Sequence, residues 1–133
     1  MSRIILFALC LAMIAVPASN ASAGDAPATL KLENLLKAEL EGAEGTEVIV
    51  SRVELPPNTT LPRHWHPGEE FAYVIEGTVV LWQEGKDEIV GTAGDVMKVP
   101  FEQVHTAITR DEGAVLLVFR VHESGKPERV LVD

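Results

Sequence analysis

The sequence predicts an all-β domain, an antiparallel sandwich or barrel, and three observations carry that expectation. From Thr46 onward the chain divides into short β-rich runs: TEVIVSRVEL, EFAYVIE, TVVLWQE, DEIVGT, VMKVP, HTAIT and AVLLVFRVH. Turn-forming residues separate them, at Pro56-Pro57-Asn58, Glu76-Gly77, Glu84-Gly85-Lys86, Ala93-Gly94-Asp95 and Asp111-Glu112-Gly113. No gap has room for the crossover of about a dozen residues that parallel neighbours need. The barrel is therefore expected over residues 46–133.

Ahead of it, Leu32, Leu35, Leu36 and Leu40 recur at helical spacing within LKLENLLKAELEG, and Gly42 and Gly45 close the pattern. One short amphipathic helix is expected there, packed outside the barrel. Residues 24–45 are read as a small-residue leader followed by this helix.

The first 23 residues have the composition of an export signal. Arg3 supplies a positive start, Ile4 to Val16 is an unbroken apolar run, and Pro17 ends it. Ala21-Ser22-Ala23 then offers the small-x-small pattern of a signal peptidase site, so cleavage is expected before Gly24. The apolar run is short of the ~20 residues that span a bilayer. A periplasmic or secreted location follows from this reading. Cleavage would remove the only cysteine, Cys10, so the remaining chain has neither a disulfide nor a thiolate for a metal.

The whole chain carries 20 acidic and 11 basic residues, a net charge of −9, and losing Arg3 makes it one unit more negative. That balance argues against nucleic acid and anionic membrane surfaces as partners. The acidic residues are scattered, as on a soluble surface, and mark no site of their own.

The chemistry lies in the histidines. His64 and His66 are two apart, so on an extended segment both rings project from one face. Glu70 follows the turn Pro67-Gly68-Glu69, which lets the carboxylate fold back towards the same point. His105 opens a separate strand that a barrel can place opposite. Three neutral imidazoles and one carboxylate suit one divalent Fe, Mn, Ni, Cu, Co or Zn ion. A six-coordinate ion would keep two positions for water, a small molecule or dioxygen.

Two segments resemble the paired motifs of the cupin superfamily, in its small single-domain form. HWHPGEEFAYVIEG, from His64 to Gly77, resembles the first motif, and GDVMKVPFEQVH, from Gly94 to His105, the second. The spacer between them, Thr78 to Ala93, has the length seen in small bacterial cupins. The resemblance implies a double-stranded β-helix, or jelly-roll barrel, enclosing a metal ion held by His64, His66, Glu70 and His105. It also departs from the family pattern. Asn58 and Glu102 occupy positions where glycine is common, and Thr109 one where asparagine is common; none is a ligand position. Asparagine tolerates left-handed backbone better than most residues, so the turn at Asn58 is expected to survive.

Alternation from Glu70 sends Ala72 and Val74 inward and Phe71, Tyr73 and Ile75 outward. Lys98 is expected in solvent, with Met97 and Val99 inside. Trp82, Phe101 and Phe119 are candidates for an apolar pocket, though ordinary core is the better expectation. Trp65 and Arg63 flank His64 and should face outward, Glu69 should be exposed on its turn, and His122 falls outside both motifs. Arg63 and Arg120 are the nearest approach to an anion anchor, and no catalytic acid or base is named.

The functional expectation is a metal-dependent enzyme acting on a small molecule, with dioxygenase-like chemistry preferred over isomerisation, decarboxylation or lyase chemistry. The alternative is a non-catalytic periplasmic metal- or ligand-binding module or sensor. The family name alone does not select a reaction. A homodimer is expected, as in many small cupins.

Overall fold

Strict alternation makes the second strand the frame of the molecule. In the computed structural model, which describes residues 28–133, β1 spans Lys31–Glu39 and β2 spans Thr46–Leu55. The export signal expected over residues 1–23 lies outside the described residues. Along β2, Glu47, Ile49, Ser51, Val53 and Leu55 are buried while the residues between them are only partly covered. That period of two is what a sheet with one face in the core requires.

β2 pairs along its whole length with β8 (Ala114–Glu123), and β8 pairs on its other side with β4 (Gly68–Gln83). β1 borders β2, and β6 (Val96–Val99) borders the first half of β4. The second half of β4 pairs with β5 (Ile89–Thr92) and β7 (His105–Ile108). β3 (His64–Trp65) joins β7 to β9 (Val130–Leu131). Every pairing is antiparallel, as the short gaps demanded. The result is an all-β, curled double sheet of the jelly-roll kind.

β4 corrects the expected strand count. EFAYVIE and TVVLWQE are one strand of 16 residues, and Glu76-Gly77 is a bend within it. A bulge between Val74 and Glu76 shifts the register, and Gly77 takes φ 79°. A Cβ at Gly77 would lie 1.9 Å from the Gly113 carbonyl oxygen, so only glycine lets the strand cross from one sheet to the other there.

The expected helix is also corrected. The segment holding Leu32, Leu35 and Leu36 is the edge strand β1, in register with β2 from Lys31↔Glu54 to Glu39↔Glu47, and the described residues contain no helix. An isolated helix of this length is marginal in water, whereas the free edge of β2 offers a full ladder of backbone partners. A bulge between Asn34 and Leu36 absorbs the spacing that imitates a helical period.

The inner face changes character along its strands. Leu55, Val53, Leu116, Val74, Val79 and Leu81 form the apolar end of the core. Further along the same strands, Val118, Ser51 and Ala72 give way to Arg120, Ile49 and Glu70, and then to His122, Glu47 and Gly68. Gly68 is required at this end, because a Cβ there would meet the Val121 carbonyl oxygen at 2.1 Å. The barrel is thus packed with hydrocarbon at one end and polar at the other.

Candidate metal centre

His64 and His105 are register partners across β3 and β7, so the sheet itself sets two of the predicted ligands face to face. His66 follows β3 and Glu70 lies on β4, both directed to the same point. The three rings have centroids 4.4, 4.9 and 5.1 Å apart, and their candidate ligand atoms all lie within 4.8 Å of one another. All three histidines are buried.

Each ring is turned by its other nitrogen. Nδ1 of His64 donates to the Pro62 carbonyl at 2.8 Å, Nδ1 of His105 to the Gln103 carbonyl at 2.9 Å, and Nδ1 of His66 to the Glu128 carbonyl at 2.5 Å. Donation to a carbonyl fixes the tautomer, leaving each Nε2 with a lone pair, the form a metal takes. The Nε2 atoms of His66 and His105 are buried with no hydrogen-bond partner among the described residues.

Glu70 completes the set. Its Oε2 lies 2.9 Å from Nε2 of His66, and its Oε1 3.7 Å from Nε2 of His105. With His66 neutral, that short approach sets two lone pairs against each other and is not a hydrogen bond. A cation, either a proton or a metal ion, has to stand between them.

The electrostatics favour the neutral, metal-binding form of His64 and His105. Burial lowers the His64 pKa to about 4; the neighbouring His105 and His66 push the same way, against the Pro62 carbonyl and Glu70. Burial likewise lowers that of His105. For Glu70 burial pulls upward, but His66, His105 and Arg120 together outweigh it and hold the carboxyl below its ordinary range. Buried imidazoles that favour the neutral form at His64 and His105, beside a carboxylate that favours its charged form, fit a divalent cation.

The remaining site expectations divide. Ala72, Val74, Met97 and Val99 are buried, and Lys98 is outside, 2.6 Å from Glu69. Arg63 faces outward with its guanidinium 4.4 Å from the Trp82 ring centroid. Phe101 and Phe119 are exposed, so neither serves as pocket lining or as core. The cavity beside the histidines is walled instead by aliphatic side chains and Met97, with Ser51, Arg120 and Arg129 as further polar members. Arg120 is the anion-anchor candidate that does point inward. His122 is fully buried next to Glu47 and donates from Nδ1 to the Glu123 carbonyl at 3.0 Å.

The departures at the loops also have structural counterparts. Asn58 and Glu102 both take left-handed backbone, φ 53° and 54°, the conformation for which glycine is best suited. The Thr109 hydroxyl donates to the Pro56 carbonyl at 2.5 Å and accepts from the Thr59 amide at 3.1 Å, tying the loop ahead of β3 to the end of β7.

A curled double sheet with three buried histidines turned to one point defines a small metal-binding β-barrel. The chain belongs to the cupin family: the cupin domain model matches residues 51–120, more than half its length. No curated protein matches the sequence significantly. Among solved structures, a cupin-like protein from Thermotoga maritima superposes with a TM-score of 0.65 at 22% identity, covering 77% of this chain and 75% of that one. The DMSP lyase DddQ from Ruegeria pomeroyi gives a TM-score of 0.59 at 25% identity, over 64% of this chain and 43% of the lyase. An oxalate oxidase in complex with the substrate analogue glycolate gives 0.56 at 26% identity, over 64% and 46% respectively. The chain thus spans less than half the length of either enzyme.

Proposed function

We propose that this cupin is an exported protein holding one divalent transition-metal ion through His64, His66, Glu70 and His105, and that it acts as a metal-dependent enzyme on a small molecule. The observation that carries the reading is the common orientation of the rings, each Nδ1 tied to a backbone carbonyl and the Nε2 atoms left for a cation. A bound ion would supply Lewis-acid chemistry or dioxygen activation. The chain's own contribution is a dry aliphatic wall, a carboxylate at Glu70 and a buried guanidinium at Arg120. We favour dioxygenase-like chemistry; the likeness to an oxalate oxidase supports that choice, and the likeness to a DMSP lyase keeps lyase chemistry beside it.

The second reading, a non-catalytic ligand-binding module or sensor, draws on the cavity's titratable groups. Among the described residues lining it these are the four proposed ligands, Arg120 and Arg129, with no separate general base. Elemental analysis of protein purified without added metal tests the centre. Oxygen uptake by the iron-loaded form, with small carboxylates as trial substrates, separates the enzyme from the binding module.

Export rests on the Arg3 to Ala23 pattern. A homodimer is part of the same proposal. Leu30, Leu32, Leu35 and Leu36 on and beside the edge strand β1 are each about half exposed, a surface suited to a second copy. Light scattering measures that state directly.

A further inference from the structure

Arg120 is a charged cavity residue that is not among the proposed ligands. Its Cα is the register partner of Glu70 on one side and of Ile49 on the other, so the side chain rises from the same inner face as the proposed ligand. It is only 4% exposed. One terminal nitrogen donates to the Ser51 hydroxyl at 2.6 Å and to Asn34 Oδ1 at 3.2 Å, and the other to Glu128 Oε2 at 3.2 Å. The Ser51 hydroxyl in turn donates to Asn34 Oδ1 at 2.6 Å, which fixes the plane of the guanidinium.

Two features of this arrangement point to a missing acceptor. Nε of Arg120 is buried with no hydrogen-bond partner among the described residues. A buried donor without an acceptor is destabilising, so native structures rarely leave one unless a ligand or water fills the place. Among the described residues the only carboxylate on the guanidinium belongs to Glu128, whose side chain is 36% exposed. That carboxylate is also held by Asn34 Nδ2 at 3.2 and 3.4 Å.

We propose that Arg120 is the carboxylate-binding subsite of the cavity, and that the Glu128 carboxylate occupies it until a small organic acid displaces it. The proposal deepens the metal-centre reading and rests on this cavity being the ligand pocket. A guanidinium N–H makes a charged hydrogen bond to a carboxylate oxygen; here Nε–H has no partner among the described residues, and the terminal nitrogen bonded to Glu128 is released when that carboxylate leaves. The remaining lining is largely aliphatic, which suits a short acid with one anionic end at Arg120 and its other end towards the histidines. Inorganic phosphate is compact and tetrahedral, with no carbon backbone to extend from Arg120 along the aliphatic wall towards the histidines, and is disfavoured.

The experiment is calorimetric titration of glycolate, oxalate, neutral glycolamide and inorganic phosphate into the full-length, manganese-loaded protein, with metal content measured on every sample. Glycolate or oxalate is expected to bind, and glycolamide and phosphate at least about tenfold more weakly, the weight of a charged hydrogen bond. Arg120→Lys and Arg120→Gln should weaken carboxylate binding by about tenfold or more while retaining stoichiometric metal. Glu128→Gln, which removes the competing charge and keeps the backbone carbonyl, should strengthen it. Wild-type protein that holds metal but binds neither acid overturns the subsite, as does an Arg120→Gln protein that binds as tightly as wild type. Equal binding of phosphate overturns the choice of carboxylate, and weaker binding by Glu128→Gln overturns the displacement. Protein without metal in any sample overturns the metal reading alone; the same titrations on that protein still decide Arg120. If Arg120→Gln does not fold by circular dichroism, Arg120→Lys and Glu128→Gln carry the decision.

Discussion

His64 and His105 stand opposite each other as the single register pair that joins β3 to β7, with ring centroids 4.4 Å apart. Two rings fixed by backbone pairing and by carbonyl hydrogen bonds are oriented before any ion arrives. Little side-chain entropy is then lost on binding.

Replacing His64, His66 or His105 with Ala is therefore expected to lower metal affinity by about a hundredfold or more, since changes to outer partners alone cost 10–100-fold. His122→Ala should retain stoichiometric metal. It should lower stability by about 1–3 kcal/mol, because the ring is fully buried and hydrogen-bonded. Metal analysis and urea unfolding of the four variants read both effects. Loss of the ion from His122→Ala as complete as from His64→Ala would show that the ligand set is misassigned.

The pH dependence has a definite sign. His64 has a folded pKa of about 4 against 6.5 when unfolded, so between those values the unfolded chain holds more protons. Stability of the metal-free barrel should fall as pH drops from about 6.5 to about 4 and lose nothing further through His64 below that. His105 acts in the same direction. Glu70, held below its ordinary range, adds stability above about 4.5 that disappears as the carboxyl protonates. Because protons compete poorly for these rings, the ion should persist below the range where exposed histidines release it. Metal content and circular dichroism followed from pH 8 to pH 4 test this, and half-release at pH 6.5 or above would contradict it.

Glu102 occupies left-handed backbone with a side chain that gains nothing from it. Glu102→Gly should raise stability by up to about 1 kcal/mol, relief of strain being partly offset by the freer unfolded chain. The opposite holds at Gly77, where Gly77→Ala must displace the Gly113 carbonyl and should cost more than about 3 kcal/mol. Thermal melts of the two variants moving in the same direction would refute the account of these turns.

The exported form is expected to begin at Gly24. Intact mass of protein from the periplasm or medium measures this, and a chain retaining residues 1–23 in the membrane fraction would refute it.

Much of this was legible in the residues, for identifiable reasons. β2 was read to its ends because a β-rich run lies between Gly45 and the turn at Pro56-Pro57, and the four proposed ligands stand out because their spacing is motif-like. β1 was misread because Leu32, Leu35 and Leu36 fit a helical period that a β-bulge also accommodates. β3 and β9 contain two residues each, too few for any period to show. The inward direction of Arg120 was hidden because β8 is apolar on both faces, and alternation has nothing to contrast there. Its partners Asn34, Ser51 and Glu128 come from three separate parts of the chain that only the fold brings together.

The hydrogen bond from His66 to the Glu128 carbonyl spans 62 residues. During synthesis, a nascent chain that has emerged only as far as the second motif carries all four proposed ligands but lacks the carbonyl that orients one of them. It also lacks the strand that flanks His64, since β9 follows Glu128. Half-built barrels thus present loosely held histidines, and the fully oriented centre forms only after the segment through Leu131 has docked. In the proposed centre, metal selection would accordingly follow closure of the barrel, among the ions present where that step occurs.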